Sequence, residues 1–234
     1  MPQIKKPHEI EKIQQACRIT DRIFGRLRKY LSHVTSSETR SIEDTKQNNS
    51  YTSRRPFSKQ MITEKQLETR LLEQIKNACK PSFHPIVAAG ANAAHPHWRA
   101  DDTVLHGFVV IDFGVVYQKY MSDMTRTIYV TPSNEERKLY QLVLNSQQDS
   151  MAYIKPGRYY KDAHRVAAAT LSEKEYFIHS LHGLGTIIHE QPRISAKGKY
   201  FKKNMCITVE PGVYYEGKVI RIEDTCVVGE TDCL

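Results

Sequence analysis

Four acids in two separate runs of this sequence are spaced to do chemistry together. Asp112 and Asp123 lie in one β-rich stretch, Glu210 and Glu223 in another. Facing residues of an antiparallel hairpin share a constant index sum. The first pair therefore centres a turn between Tyr117 and Gln118, and the second centres one on Glu216 and Gly217, where glycine supplies the positive φ of a tight turn. Each turn would set two carboxylates side by side on one face. Four carboxylates brought together repel one another and resist ionisation unless cations compensate them. Between the two runs lie His179, His182 and His189, imidazoles able to complete a divalent-metal site. Carboxylates with one imidazole suit Mn, Fe, Co or Zn better than a thiolate-seeking metal.

Other elements must position these groups. From Pro7, a favoured first helical residue, Ile10, Ile13, Cys17, Phe24, Leu27 and Leu31 fall on one face, with Thr20 the only polar break. Residues 1–32 therefore read as an amphipathic helix docked on its own domain. Residues 33–60, rich in Ser, Thr, Asn, Gln and charge, read as a linker or surface insertion. Residues 61–234 form the acid-bearing domain. It opens with Thr63-Glu64-Lys65-Gln66, which has capping-box form ahead of the apolar face Leu67, Leu71, Leu72, Ile75 and Cys79. After Pro81 the texture turns to strand. Ser133 and Glu136 cap a third helix that stops before Pro156-Gly157, and an alanine-rich fourth runs from Asp162 to about Glu173, before strands ending near Val228. Acid-bearing hairpins on either side of helices predict an α+β domain whose two related halves meet at the site.

Composition narrows the classes. A chain of 234 residues can bury one substantial core. Its formal charge of +8 is scattered, with small concentrations near Lys5-Lys6, Arg54-Arg55 and Lys197 to Lys203, which reads as solvated surface and not a nucleic-acid footprint. The five cysteines form no C-x-x-C pair, which favours free thiols in a reducing cytoplasm. There is no secretory h-region and no apolar run of the ~18 residues that a membrane span needs.

Several motifs in order resemble a known family. They are Ile111-Asp112-Phe113-Gly114, Ser122-Asp123-Met124-Thr125-Arg126-Thr127, His189-Glu190-Gln191-Pro192, Glu210-Pro211-Gly212 and Arg221-Ile222-Glu223-Asp224-Thr225. Together they look like the dinuclear-metal peptidases of the pita-bread (creatinase/aminopeptidase) fold. That fold has two pseudo-symmetric halves of antiparallel sheet flanked by helices. The resemblance covers the N-terminal helix and the chain from about Glu64 to Val228. Ser-Asp-x-Thr-Arg-Thr and Arg-Ile-Glu-Asp-Thr are typical of the Xaa-Pro aminopeptidase/prolidase branch, whereas methionine aminopeptidases usually show Glu-His at the last acid ligand. The implied activity is a metalloprotease hydrolysing the N-terminal Xaa-Pro bond of a peptide with proline second, through a metal-bridging hydroxide, as a monomer or homodimer in the cytoplasm.

The resemblance further implies that Asp112, Asp123, His182, Glu210 and Glu223 hold two divalent metal ions, foremost Mn with Zn, Co or Fe as alternatives. Asp123 and Glu223 would bridge them. Glu210 resembles the proton shuttle, His189 a group stabilising the tetrahedral intermediate, and His97 and His179 imidazoles on the substrate side. Arg221 is a candidate partner for an acid ligand. Leu181, Lys119 and Ile220 stand where the family commonly carries glycine. The leucine is expected to add bulk beside a ligand and to strain a backbone that keeps glycine's angles. The family's usual separate N-terminal domain is expected to be absent.

Beside these roles stand plainer ones. Asp224 and Glu190 read as solvated strand acids, Trp98 and Tyr214 as packing, and His84, His106 and His164 as structural or exposed. The rival functions are an Xaa-Pro dipeptidase (prolidase) and a catalytically silent binding protein on the same fold.

Overall fold

In a computed structural model, residues 4–34, 61–130, 132–171, 177–193, 199–215 and 218–229 are described. Helix α1 (Pro7–Val34) extends two residues past the expected end. The rest of the expected 33–60 insertion lies outside the described residues. The apolar stripe of α1 serves two cores. Ile10, Ile13 and Cys17 pack with Leu184, Cys206 and Val227, while Ala16, Ile19, Ile23, Leu27 and Leu31 pack with Leu67, Leu71 and Ile75 of α2 (Glu64–Ala78). Thr20, the polar break, is buried: it lies 3.1 Å from the Ala16 carbonyl and 2.6 Å from Ser122 Oγ, which in turn accepts from Val115 N. The predicted capping box starts α2, with Gln66 N donating to Thr63 Oγ1 and Thr63 N to Gln66 Oε1.

The first half continues through β1 (Lys80–Pro81), β2 (Ile86–Ala89), β3 (Gly107–Phe113), β4 (Val115–Tyr117), β5 (Tyr120–Met121) and β6 (Met124–Val130). Strands β2, β3 and β6 form one antiparallel sheet, and β1, β4 and β5 another. The first acid hairpin departs from expectation. Tyr117 pairs with Tyr120, so the turn centres on Gln118 and Lys119, one residue later than the acid spacing suggested. Both turn residues take positive φ, 47° and 75°, as a two-residue hairpin loop of this hand requires. Lys119 thus adopts a conformation that glycine would take more readily. Asp112 therefore faces Thr125, and Asp123 sits in the break between β5 and β6. The hairpin bends at Gly114, where a Cβ would collide with the Ser122 carbonyl oxygen. The register is the same on both sides of Gly114, so Asp112 and Asp123 are not direct cross-strand partners.

The second half comprises α3 (Asn134–Tyr153), α4 (Tyr160–Thr170), β7 (Phe177–Ser180), β8 (His182–Gly183), β9 (Glu190–Arg193), β10 (Cys206–Tyr215), β11 (Lys218–Arg221) and β12 (Asp224–Val227). The expected Ser133–Glu136 capping box opens α3. Ala163 and Ala167 let α4 approach α3 closely enough for Ser150 Oγ and Ser146 Oγ to donate to their carbonyls. The long strand β10 is central, pairing with β7, β8, β11 and β12. Its register against β11 and β12, from Cys206↔Val227 to Tyr215↔Lys218, is the one the Glu210/Glu223 spacing predicts. One register runs through both pairings, although the returning strand is interrupted at Ile222 and Glu223.

The halves join along β6. Thr125 bridges to Glu223, whose N–H donates to the Thr125 carbonyl at 3.0 Å, and Thr127 Oγ1 both accepts from Arg221 N and donates to Arg221 O. Arg126 donates to Glu223 O and forms an ion pair with Asp224, which also accepts from Gln147 Nε2 at 2.7 Å. Asp224 is therefore a clamp across the seam and not a solvated strand acid. No disulfide joins the described cysteines. Among the described residues no helix is long and apolar enough to cross a membrane.

Because α1 fastens both halves, truncating its centre should be costly. Ile13, 0 % exposed, leaves a cavity against the second half when shortened. Urea denaturation of Ile13→Ala is expected to show a loss of about 2–5 kcal/mol with an unchanged m-value.

Candidate metal centre and substrate cleft

Five side chains from both halves converge at the seam. Asp112 comes from β3 and Asp123 from the bend after β5, while His182 leaves β8, Glu210 sits in β10 and Glu223 lies between β11 and β12. His182 Nε2 stands 3.2 Å from Glu210 Oε1, 3.6 Å from Asp123 Oδ2 and 4.0 Å from Glu223 Oε1. Its other ring nitrogen, Nδ1, lies 3.1 Å from the Gly183 carbonyl oxygen. A carbonyl only accepts, so Nδ1 carries the proton and the Nε2 lone pair is directed at the acids. A lone pair facing carboxylates is repulsive unless a cation or a proton stands between them.

The donor atoms form overlapping groups, each within 4.8 Å: Asp112, Asp123 and Glu223 in one, His182, Glu210 and Glu223 in a second. Asp123, His182 and His189 form a third. Glu223 is common to the first two, so two adjacent positions for cations are defined. Asp112 Oδ1 and Glu223 Oε1 are buried without a hydrogen-bond partner, an arrangement that a bound cation would satisfy. The donor set therefore fits divalent metal.

The electrostatics agree. Burial, then the neighbouring carboxylates, hold Asp123 and Glu223 well above the usual carboxylate range. Asp112 is raised by burial too, but Arg221 opposes the rise. Arg221 donates to Asp112 Oδ2 at 2.6 Å, to Tyr214 OH at 3.1 Å and to Thr125 Oγ1 at 3.2 Å, and Thr125 Oγ1 donates onward to Glu223 Oε2 at 2.8 Å. One guanidinium thus orients two acids, one directly and one through a hydroxyl. Burial works against its charge, yet Asp112 and its other anionic neighbours outweigh that and push its pKa above the ordinary value.

Above the acids opens a cavity of about 380 Å³, walled by Phe83, Trp98, Ile188 and Tyr214 and carrying His97 and His189. The His189 ring meets His182 edge-on with centroids 4.5 Å apart, and its pKa is lowered by burial and then by His182. His84, given no role from sequence, also lines the cavity while pairing with Glu68 at 2.9 Å. Trp98 and Tyr214, expected as packing, form cavity wall as well. His179 lies in β7 opposite Pro211, one register position from Glu210. Leu181 is buried against the α4–β10 core and takes no positive φ, so the expected strain is absent; it is Gly183 that must be glycine, because a Cβ there would meet the Gln191 carbonyl.

Two buried acids escaped sequence reading. Glu64 is 0 % exposed and accepts from Ala89 N at 2.6 Å, Trp98 Nε1 at 2.7 Å, Asn92 Nδ2 at 3.0 Å and Asp101 N at 3.3 Å, fixing the loop that carries His97. In sequence it is merely an acid in a first helical turn. Glu190, read as solvated, is buried in an ion pair with Lys5, itself expected to be surface.

The profile of Metallopeptidase family M24 matches residues 11–230. The chain belongs to this family, and its fold is the α+β pita-bread fold. It is 35 % identical over 236 residues to an Xaa-Pro dipeptidase of Pyrococcus furiosus, covering 97 % of this chain and 61 % of that protein. Among solved structures it superposes on an X-Pro aminopeptidase from Thermotoga maritima (TM-score 0.79, 33 % identity, 99 % of this chain and 61 % of the other). It superposes equally on a prolidase from Pyrococcus furiosus (TM-score 0.79, 33 % identity, 99 % and 64 %). The chain thus spans about three-fifths of the length of these relatives.

The raised carboxyls make a stability prediction. Their folded pKa values exceed the unfolded ones, so their contribution is present at low pH and is lost as pH rises from the ordinary carboxylate range through the raised values. In calorimetric scans of chelator-treated protein, Asp123→Asn should therefore raise the melting temperature at about pH 7, by roughly 3 °C per kcal/mol gained. The gain should shrink towards pH 5, and divalent metal should stabilise the unsubstituted protein and not the variant.

Proposed function

We propose that this chain is a dinuclear metal-dependent exopeptidase that hydrolyses the bond between an N-terminal residue and proline. The observation that carries the reading is the pair of donor groups sharing Glu223 on the floor of a cleft, in a chain of this family. Asp112, Asp123, His182, Glu210 and Glu223 would hold the two ions, and Glu223 belongs to both donor groups. A donor set of four carboxylates and one imidazole favours Mn, with Zn, Co or Fe able to replace it. Bound there, the ions supply Lewis acidity to the scissile carbonyl and lower the pKa of the attacking water.

The chain's own residues supply the rest. Glu210, with its side chain 17 % exposed, takes a proton from the attacking water and returns it to the leaving proline nitrogen. His189, kept neutral by burial, donates an N–H to the oxygen that becomes negative in the tetrahedral intermediate. His97 contacts the substrate near the scissile peptide, and His179 serves as a further imidazole on the substrate side. Arg221 aims Asp112 and opposes the rise that burial imposes on its carboxyl. A second reading, Xaa-Pro dipeptidase, is favoured by the relatives that carry that name, and the two differ only in the peptide length accepted.

The test is release of the N-terminal residue from an Xaa-Pro-Xaa tripeptide by metal-stripped protein with Mn restored, beside an Xaa-Pro dipeptide and a Met-Ala-Ser peptide. Tripeptide cleavage that requires Mn, and that Glu210→Gln lowers by roughly 10²–10⁴-fold in kcat, is the expected outcome. Cleavage of the dipeptide alone selects the second reading. Cleavage of the methionine peptide alone, or of none with metal bound, overturns both.

A further inference from the structure

His189 stands on a short loop, and what holds that loop comes from the other end of the chain. Glu190, which follows it directly, is 6 % exposed, and both its oxygens are engaged. Oε2 forms an ion pair with the Lys5 ammonium, itself on a residue only 3 % exposed, while Oε1 accepts from Thr186 N at 2.8 Å and Ile187 N at 3.3 Å. The residues before His189 are therefore wrapped around the carboxylate of the residue after it. A Cβ on Gly185 would meet Lys5 Nζ and Glu190 Oε1, so the ion pair packs directly against this glycine, which takes no positive φ.

Lys5 is fixed in turn. Its N–H donates to the Asn204 carbonyl at 2.8 Å, and the first turn of α1 behind it is tied to the acid hairpin through Glu9, which accepts from Tyr120 OH at 2.8 Å. Met121 N, on the same hairpin, donates to Gly185 O at 2.8 Å. Lys5 does not line the cleft. A buried ion pair is a poor source of net stability compared with apolar packing, because both charges must shed water. What it does supply is a directional constraint, here on the backbone that aims an imidazole.

We propose that Lys5 is a positioning residue for His189: the Lys5–Glu190 pair holds the loop so that the His189 ring stays edge-on to His182 and over the cleft. The proposal rests on the reading of His189 as the group facing the developing oxyanion. The pair sets the orientation of that N–H without touching substrate, so its loss should reduce the rate of the chemical step more than the binding of peptide or metal.

The experiment compares Lys5→Met, Glu190→Gln and the double variant Lys5→Met/Glu190→Gln in the full chain, each with and without His189→Ala. The double variant leaves no unpaired buried charge, so it remains informative where a single variant fails to fold. Three quantities are read: kcat and KM on the proline tripeptide with Mn, bound metal by elemental analysis, and hydrogen exchange at the Thr186 and Ile187 amides with the His189 ring resonances. The double variant is expected to lose roughly 10–100-fold in kcat with little change in KM or metal content. It should exchange both amides faster and shift the His189 ring signals, and it should cost nothing further in kcat when introduced into His189→Ala. Unchanged ring signals and amide exchange, or a kcat loss that multiplies with that of His189→Ala, would overturn the proposal. If His189→Ala alone leaves kcat intact, the catalytic reading of His189 fails, and the ring resonances and amide exchange still decide whether Lys5 positions it.

Discussion

Mutual repulsion among carboxylates at the seam is the constraint from which the rest of this molecule follows. Asp112, Asp123, Glu210 and Glu223 cannot all ionise in a buried space without compensation, and among the described residues the Arg221 guanidinium and the His182 imidazole stand against them. Arg221 engages Asp112 and reaches Glu223 through Thr125, which leaves Asp123 and the Glu223 oxygen that lacks a hydrogen-bond partner facing His182 among the described residues. The deficit is the binding capacity. A chain that neutralised these acids internally would fold more easily and would hold metal less well.

Such a deficit must be carried by interactions elsewhere, and they lie across the seam. The Thr125–Glu223 bridge, the paired bonds between Thr127 and Arg221, and the Arg126–Asp224 contact tie β6 to the strands of the other half beside the repelling groups. Helix α1 then fastens both halves from behind with one apolar stripe divided between two cores. The helix is remote from the chemistry in sequence, yet its buried Thr20 meets Ser122, the residue before Asp123. Packing and site geometry are therefore not separable in this region.

How much of this could be read from the sequence depended on how local the cause was. Capping boxes at Thr63 and Ser133 were legible because cap and partner are three residues apart. The Glu210/Glu223 register was legible because one register runs through β10/β11 and β10/β12 across the break at Ile222 and Glu223. The Asp112/Asp123 pairing was not legible because the two acids are not cross-strand partners: one register runs through both β3/β6 and β4/β5, and it sets Asp112 opposite Thr125. Glu190, Asp224 and Lys5 read as solvated in the sequence because each is held by a partner far away along the chain, which no periodicity reports. Leu181 raised a strain that the structure does not contain, since the close backbone approach falls two residues later, at Gly183.

The two loops that face the cleft solve one problem in the same way. Imidazoles presented from loops need a rigid base, and in both loops hydrogen bonds to a buried acid add to the apolar packing of Leu184 and Ile188 or of Ala93 and Trp98. His97 follows a loop gathered around the Glu64 carboxylate, and His189 ends one gathered around Glu190. In each case a buried acid accepts main-chain N–H groups that would otherwise lack partners, so satisfying the backbone and fixing the loop are one act. The difference lies in the counter-charge. Trp98, Asn92 and main-chain donors surround Glu64, whereas Glu190 faces the full charge of Lys5. A dipole cage holds a loop through many weak bonds that can shift together, while a single ion pair has one partner to lose. The His189 side of the cleft is thus the side whose geometry depends on one distant residue, and it is the side on which the N–H aimed at the reacting carbonyl must stay in place.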